Sequence, residues 1–258
     1  MCIRDRSYAT RLAEVMYEEG IDPRKDTKLH TVCIGAEPHS EEQRKRIEQL
    51  LGVKAYNCFG MSEMNGPGVA FECTEQNGLH IWEDNVIVEI VDPVTLQPVP
   101  EGEVGELVLT TINREAMPLL RYRTRDLTCI LPGDCPCGRT HKRLARFKGR
   151  SDDMIILKGV NLFPIQIEKI LMQFKELGSN YLITLETIGN SDEMLIEVEL
   201  SDLFTDDYSA LQRLTKGITR QLKDELLLTP RIKLVAKGSL PTLSLIHISE
   251  PTRRSYIS

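Results

Sequence analysis

The stretch KLHTVCIGAEPHSEEQRKRIEQLLGVKAYNCFGMSE, residues 28–63, decides the fold class. Lys28 to Ile34 is a short β-like run that breaks into Gly35-Ala36-Glu37-Pro38. Ser40 then offers a capping hydroxyl to a charged amphipathic helix over Glu41–Leu51, which Gly52 ends. Val53 to Phe59 reads as a second strand, stopping at Gly60. Strand, helix, strand at this spacing predicts an α/β unit with parallel strands. Ligands of such units bind in the loops beyond the carboxyl ends of the strands.

Upstream, Tyr8 to Glu19 reads as a helix closed by Gly20 and the turn Ile21-Asp22-Pro23. Downstream, from Leu79 to Thr128, the texture changes to short β runs between Pro and Gly turns: His80–Trp82, Val86–Val91, Gly105–Thr111 and Leu119–Tyr122. This predicts a smaller β subdomain, followed by the basic stretch Arg139–Arg150. The pattern then resets. Strand Met154–Leu157, helix Pro164–Phe174, strands Tyr181–Glu186 and Met194–Leu200, helix Asp206–Leu227 and strand Arg231–Val235 give the split-βαβ order. A domain boundary is expected at about Arg150, separating residues 8–150 from a small mobile domain over 151–242.

The chain has 258 residues, 41% hydrophobic and 27% charged, enough for one large domain or two ordinary ones. A net charge of −6 argues against phosphate-backbone binding, so no nucleic-acid partner is expected. No run approaches the length of a spanning helix, so no membrane partner is expected either. Seven Cys in a chain this long do not make a secreted disulfide framework; with no signal peptide in view, a cytoplasmic location is expected. Residues 1–7 (MCIRDRS) and 243–258 (LSLIHISEPTRRSYIS) resemble translated sequencing-adapter read-through and are expected to be non-native tails on an internal piece of a longer protein.

Three segments carry chemistry. Asn57 to Glu63 sets an amide, an aromatic ring, the Gly60 turn, the Ser62 hydroxyl and the Glu63 carboxylate at the end of a strand. An amide and a ring can read and stack a purine, a hydroxyl can meet a phosphate, and a carboxylate can hold Mg²⁺. A polar turn after a strand is the plainer reading. Tyr122 to Asp126 closes another β run, and Asp126 can accept two ribose hydroxyls or simply pair with a surface Arg. Gly149 to Pro164, with Asp152, Asp153 and Gly159, suits a hinge and a close backbone approach to a ligand, or a hairpin linking two domains.

Together, in this order and spacing, these segments resemble the adenylate-forming ligases, most closely the phenylacetate–CoA ligases. Gly35–Pro38, Asn65–Cys73, Trp82-Glu83-Asp84, Leu120–Thr128 and Gly149–Pro164 carry the resemblance, which spans Tyr8 to Pro241. It implies a mixed α/β fold: the end of a large AMP-binding domain with its β subdomain, then a small mobile C-terminal domain. It implies ATP, Mg²⁺ and coenzyme A as cofactors and an aryl acid, phenylacetate first among them, as substrate. Gly35, Ala36, Glu37 and Pro38 would lie against adenine and ribose. Asn57 and Phe59 would meet adenine, with Phe59 where Tyr is usual, and Gly60 would belong to the cofactor-binding residues. Ser62 would contact phosphate, Glu63 would bind Mg²⁺, and Asp126 would hold the ribose with Arg150 nearby. Asp152 matches the hinge, Gly159 the pantetheine tunnel, and Met64–Gly68 part of the acyl pocket.

The implied reaction has two steps: the carboxylate takes AMP from ATP and releases pyrophosphate, then the thiol of coenzyme A displaces AMP after the small domain swings. The family's Ser/Thr/Gly-rich phosphate loop has no match here, and no Lys follows Gly238–Pro241 where the family has one. This chain alone is therefore expected to be inactive.

Cys135-Pro136-Cys137-Gly138 is a tight thiolate pair, and Cys73 with His80 forms a second pair upstream. Cys₃His is a common closed zinc set, so a structural Zn²⁺ is expected at Cys73, His80, Cys135 and Cys137, with His141 as a rival fourth ligand. Cys33, Cys58 and Cys129 lie in or beside apolar runs and are read as core. The rival to the ligase is a non-catalytic small-molecule-sensing module built on the same zinc-stabilised β domain. Such a module has no need for a ribose carboxylate and a Mg²⁺ carboxylate in this register. Nucleic-acid binding through Arg139–Arg150, where six of twelve residues are Arg or Lys, fits poorly with an acidic chain. A homodimer stays open, as does the identity of the aryl acid.

Overall fold

The computed structural model describes residues 2–3, 6–35, 39–64, 66–188, 191–201, 208–240 and 248–249. Ala36, Glu37 and Pro38, Asn65 within the expected acyl-pocket stretch, and most of both tails lie outside them. The chain divides into two compact units, one made of the residues up to His39 and Arg44–Asp153, the other of Ser40–Gln43 and the residues from Met154 onward. The mixed α/β class is as expected from the sequence.

In the first unit a seven-stranded sheet runs in the order Cys2–Ile3, Thr31–Ile34, Lys54–Met61, Gly66–Glu72, Leu79–Ile81, Arg143–Leu144, Ile130–Leu131. Its first three strands are parallel and the rest antiparallel. The helix Glu41–Leu51 connects the two central parallel strands. It starts where Ser40 Oγ accepts the Gln43 N–H at 3.2 Å, and it stops at Gly52, whose φ of +66° suits glycine. Ile47 and Leu51 on this helix, with Ala9 and Ala13 on the helix Arg6–Glu18, cover Val32, Ile34 and Ala55.

A second, fully antiparallel sheet runs Gly149–Arg150, Tyr122–Thr128, Gly105–Thr111, Val86–Val91. Leu79, Ile81 and Leu144 of the first sheet and Val86, Ile90, Leu107 and Leu109 of the second share one core.

In the second unit a hairpin pairs Ile155–Leu157 with Val160–Leu162. Its two-residue turn is Lys158-Gly159, with φ of +50° and +80°, the left-handed pair that matches strand twist in a tight hairpin. The helix Pro164–Leu171 follows, opened by Pro164 and by Gln166 Oε1, which accepts the Phe163 N–H at 2.8 Å. The main sheet of this unit runs Arg231–Val235, Ser191–Leu200, Leu177–Ile188, Ile248–Ser249. Leu214, Ile218, Leu222 and Leu226, four residues apart on the helix Tyr208–Leu226, pack with Ile183, Met194, Ile196 and Val198.

Three expectations are corrected. Lys54–Met61 continues past Gly60 and pairs with the strand Gly66–Glu72, because a bulge between Phe59 and Met61 takes up the glycine while pairing holds. Tyr122–Asp126 lies inside a strand instead of closing one; Leu119 only bonds Thr111. The first strand of the expected split-βαβ sheet sits in its own hairpin, outside the four-stranded sheet. Within the two segments read as non-native tails, Cys2–Ile3 pairs with Cys33–Ile34, Arg6 begins the first helix, and Ile248–Ser249 pairs with Ile183–Thr184. An open sheet edge accepts an extended segment through backbone bonds, whatever its sequence. Among the described residues no helix is long and apolar enough to cross a membrane.

Candidate functional site

The parallel register pairs Ile34 with Asn57, so Gly35 emerges beside Cys58. A Cβ on Gly35 would strike the Cys58 carbonyl and come within 2.7 Å of its Sγ, so only glycine fits there. Asn57 is buried, and its N–H donates to Glu72 Oε2 at 2.7 Å. Arg146 Nη2 lies 3.7 Å from the other Glu72 oxygen, and Arg146 Nη1 donates to the His39 carbonyl at 3.3 Å. This carboxylate thus ties the carboxyl end of one strand to the segment leading into the second sheet. Phe59 packs on Phe147, ring centroids 4.4 Å apart and tilted by 36°. Beyond the Gly60 bulge the chain turns through a short 3₁₀ segment, Ser62–Met64, with Ser62 exposed and Glu63 half-buried.

Ala145 to Arg150 then runs beside the strand Tyr122–Thr128, through Ala145 N–H to the Cys129 carbonyl at 2.8 Å and Lys148 N–H to the Leu127 carbonyl at 2.9 Å. Register sets Arg150 opposite Asp126. This one segment therefore delivers Phe147 to Phe59 and Arg150 to Asp126. Burial pushes the Asp126 carboxyl up to about 6, against the pull of Arg150; Asp152 and Asp153 add to the rise. The Arg150 guanidinium forks onto Asp152, Nε to Oδ1 and Nη2 to Oδ2 both at 2.9 Å, and lies 3.7 Å from Asp153. That fork holds Asp152 below its ordinary value, while burial raises Asp153. Gly159 belongs to the second unit, at the hairpin turn, where an added Cβ would meet open space but the φ of +80° would strain it.

A separate cluster forms where three segments meet. Cys73 follows the strand Gly66–Glu72, His80 lies in Leu79–Ile81, and Cys135 and Cys137 flank a turn. Their donor atoms all lie within 4.8 Å of one another, and His141 is outside the group. Burial pushes the Cys73 thiol up to about 11, whereas the Arg139 backbone N–H draws Cys137 down to about 7. Cys58 and Cys129 are buried and Cys33 is half-buried.

The AMP-binding enzyme family model matches residues 7–113, and the AMP-binding enzyme C-terminal domain model matches residues 159–245. The phenylacetate-coenzyme A ligase of Thermus thermophilus is 42% identical over 249 residues, covering 91% of this chain and 56% of that protein. The phenylacetate-coenzyme A ligase of Pseudomonas putida is 43% identical, covering 91% of this chain and 53% of that one. The chain belongs to the adenylate-forming, AMP-binding enzymes.

The solved structure of 2-hydroxyisobutyryl-CoA ligase in the postadenylation state in complex with 2-HIB-AMP superposes with a TM-score of 0.88 at 30% identity, over 98% of this chain and 54% of that one. The chain spans about half the length of the curated relatives it matches. The two AMP-binding matches leave residues 114–158 between them, the stretch holding Asp126, Cys135, Cys137, Arg150 and Asp152. Sequence reading overlooked Glu72, Arg146 and Phe147 as partners of the site. The one signal for Phe147 was an aromatic residue within an otherwise basic run.

Proposed function

We propose that the enzyme to which this chain belongs joins an aryl acetic acid, phenylacetate first among them, to coenzyme A at the expense of ATP. In this reading Gly35 and the following Ala36, Glu37 and Pro38 lie along the nucleotide, Asn57, Phe59 and Gly60 along the adenine, and Ser62 at a phosphate. The observation that carries the reading is Asp126. It offers only acceptor oxygens, its ionised form is held back by burial, and the cation opposite it is already forked onto Asp152. A ribose diol supplies two donors to such a carboxylate, beside the Thr124 hydroxyl that already favours its charged form.

Glu63 and Ser62 give oxygen donors on one turn, the donor chemistry that Mg²⁺ takes. When bound there, Mg²⁺ offsets charge on the phosphates during attack by the acid. Asp152 acts as the hinge, held by Arg150, and Gly159 leaves room beside a pantetheine arm. A thiol cosubstrate suits a reducing cytoplasm, and a membrane or nucleic-acid partner has no part in the reaction. Turnover belongs to the whole enzyme; the chain by itself is expected to form no AMP.

The test is acid-dependent AMP formation by the complete enzyme with ATP, Mg²⁺ and coenzyme A over a panel of aryl acids. AMP and thioester with phenylacetate are expected; no AMP with any acid from a folded enzyme overturns the reading. Asp126 adds a pH signature. Its folded value of about 6 exceeds its ordinary 3.8, so its ionisation costs stability as pH rises through that window. Ribose binding needs the ionised form, so the KM for ATP should rise as pH falls below about 6. Asp126→Asn should flatten that profile and raise KM by roughly tenfold or more, the cost of losing charge-assisted bonds. An unchanged profile in the variant would remove Asp126 from the ribose.

A further inference from the structure

We propose that Cys73, His80, Cys135 and Cys137 bind one Zn²⁺ in a closed, structural site that locks the turn at 135–138 onto the seven-stranded sheet. The distances match a coordination tetrahedron. Bond lengths of about 2.3 Å to sulfur and about 2.0–2.1 Å to nitrogen give edges of roughly 3.8 Å between two sulfurs and 3.6 Å between sulfur and nitrogen. Cys73 Sγ and Cys135 Sγ are 3.6 Å apart, and Cys137 Sγ lies 3.5 Å from His80 Nε2. A thiol–thiol and a thiol–imidazole hydrogen bond would each explain one distance, but not the convergence of both pairs within 4.8 Å. The sulfurs also stand well beyond bonding distance for a disulfide.

Two of the sulfurs have backbone donors beside them. Cys73 accepts the backbone N–H of Glu75, and Cys137 accepts that of Arg139, each two residues ahead of the sulfur. Such donors fix the direction of a ligating sulfur and offset its charge. Cys135 and Gly138 close the turn through a 3.0 Å backbone bond, with Gly138 at a φ of +82°. The buried Arg143, paired in register with His80, spans both arms: Nη1 donates to the Asn77 carbonyl at 2.9 Å and Nη2 to the Gly133 carbonyl at 3.0 Å. Its guanidinium holds the Cys73–His80 loop and the approach to Cys135 at a fixed separation. Three thiolates and one imidazole leave no open position, which separates this ion from any role in turnover. None of these residues belongs to the proposed nucleotide site, so the inference stands apart from the ligase reading.

The protein, expressed in zinc-supplemented medium and purified without chelator, should hold about one zinc per chain by elemental analysis. An organomercurial titration read with a zinc indicator should release that zinc as the cluster thiols react, which needs no variant. X-ray absorption should give three sulfur neighbours and one nitrogen. A Cys135→Ser, Cys137→Ser double variant should fall at least tenfold in zinc content, while Cys33→Ser and Cys129→Ser keep it. Less than about a tenth of an equivalent in the folded protein, a shell of oxygen and nitrogen only, or full zinc content in the double variant would each overturn the site.

Discussion

Arg123→Ala is expected to destabilise the first unit by about 3–5 kcal/mol, the range for removing one partner of a buried ion pair. Glu106 is fully buried on the strand Gly105–Thr111. Arg123 on the neighbouring strand forks onto it, Nε to Oε1 at 2.9 Å and Nη2 to Oε2 at 2.6 Å. Without Arg123 the carboxylate keeps only the longer contact to Arg125 at 3.8 Å. The Arg123 side chain is 30% exposed, which places the effect at the lower end of the range. Even that is a large share of the 5–15 kcal/mol that holds a domain together. The double replacement Arg123→Met, Glu106→Leu should recover most of the loss, because it leaves no uncompensated charge inside. Urea unfolding of the three proteins checks both statements; a change below about 1 kcal/mol for Arg123→Ala would show that water reaches Glu106. The same strand carries Asp126, so under the proposed function nucleotide affinity should weaken along with stability.

Gly35→Ala should cost about 2–3 kcal/mol through overpacking, a second large effect from a single methyl group. The obstacle is backbone, the Cys58 carbonyl, in a strand paired on both sides, to Thr31–Ile34 and to Gly66–Glu72. Neither neighbour can shift without disturbing pairing that carries Asn57 and Phe59. Thermal unfolding and the KM for ATP of the complete enzyme should therefore both move. Gly68→Ala is the control: an added Cβ meets nothing within 4 Å, and the change should stay within about 0.5 kcal/mol. Equal effects at the two glycines would mean that the backbone at Gly35 yields easily.

Where local rules agreed with packing, the sequence was a sufficient guide. The helix Glu41–Leu51 begins at Ser40 and ends at Gly52 as its capping residues dictate, and Arg231–Val235 appears with the bounds its period predicts. Asp126 and Arg150 were singled out from separate motifs, and strand pairing sets them opposite each other. The family expected from those motifs is the family found. The failures have physical causes. Gly60 has the chemistry of a strand end, yet pairing with Gly66–Glu72 holds on both sides of it, at Phe59 and at Met61. Tyr122–Thr128 hides its period because one of its charges, Arg123, answers a buried Glu106 instead of facing water. In the basic run before Arg150 a cation count suggests a solvated face, whereas Arg143 is buried among loop carbonyls and Phe147 packs on Phe59. Partners that lie far apart along the chain leave no local mark on either segment.

The strand order has a consequence for the newborn chain. Leu79–Ile81, all three residues buried in the finished fold, is completed on one edge by Arg143–Leu144, which come about 60 residues later. At a synthesis rate of about 5–20 residues per second, that edge stands bare for roughly 3–12 seconds. The helices and parallel strands ahead of it can settle within that time. The apolar edge cannot, and until residue 144 arrives it is a template for any extended segment nearby, including the same edge on a neighbouring nascent chain.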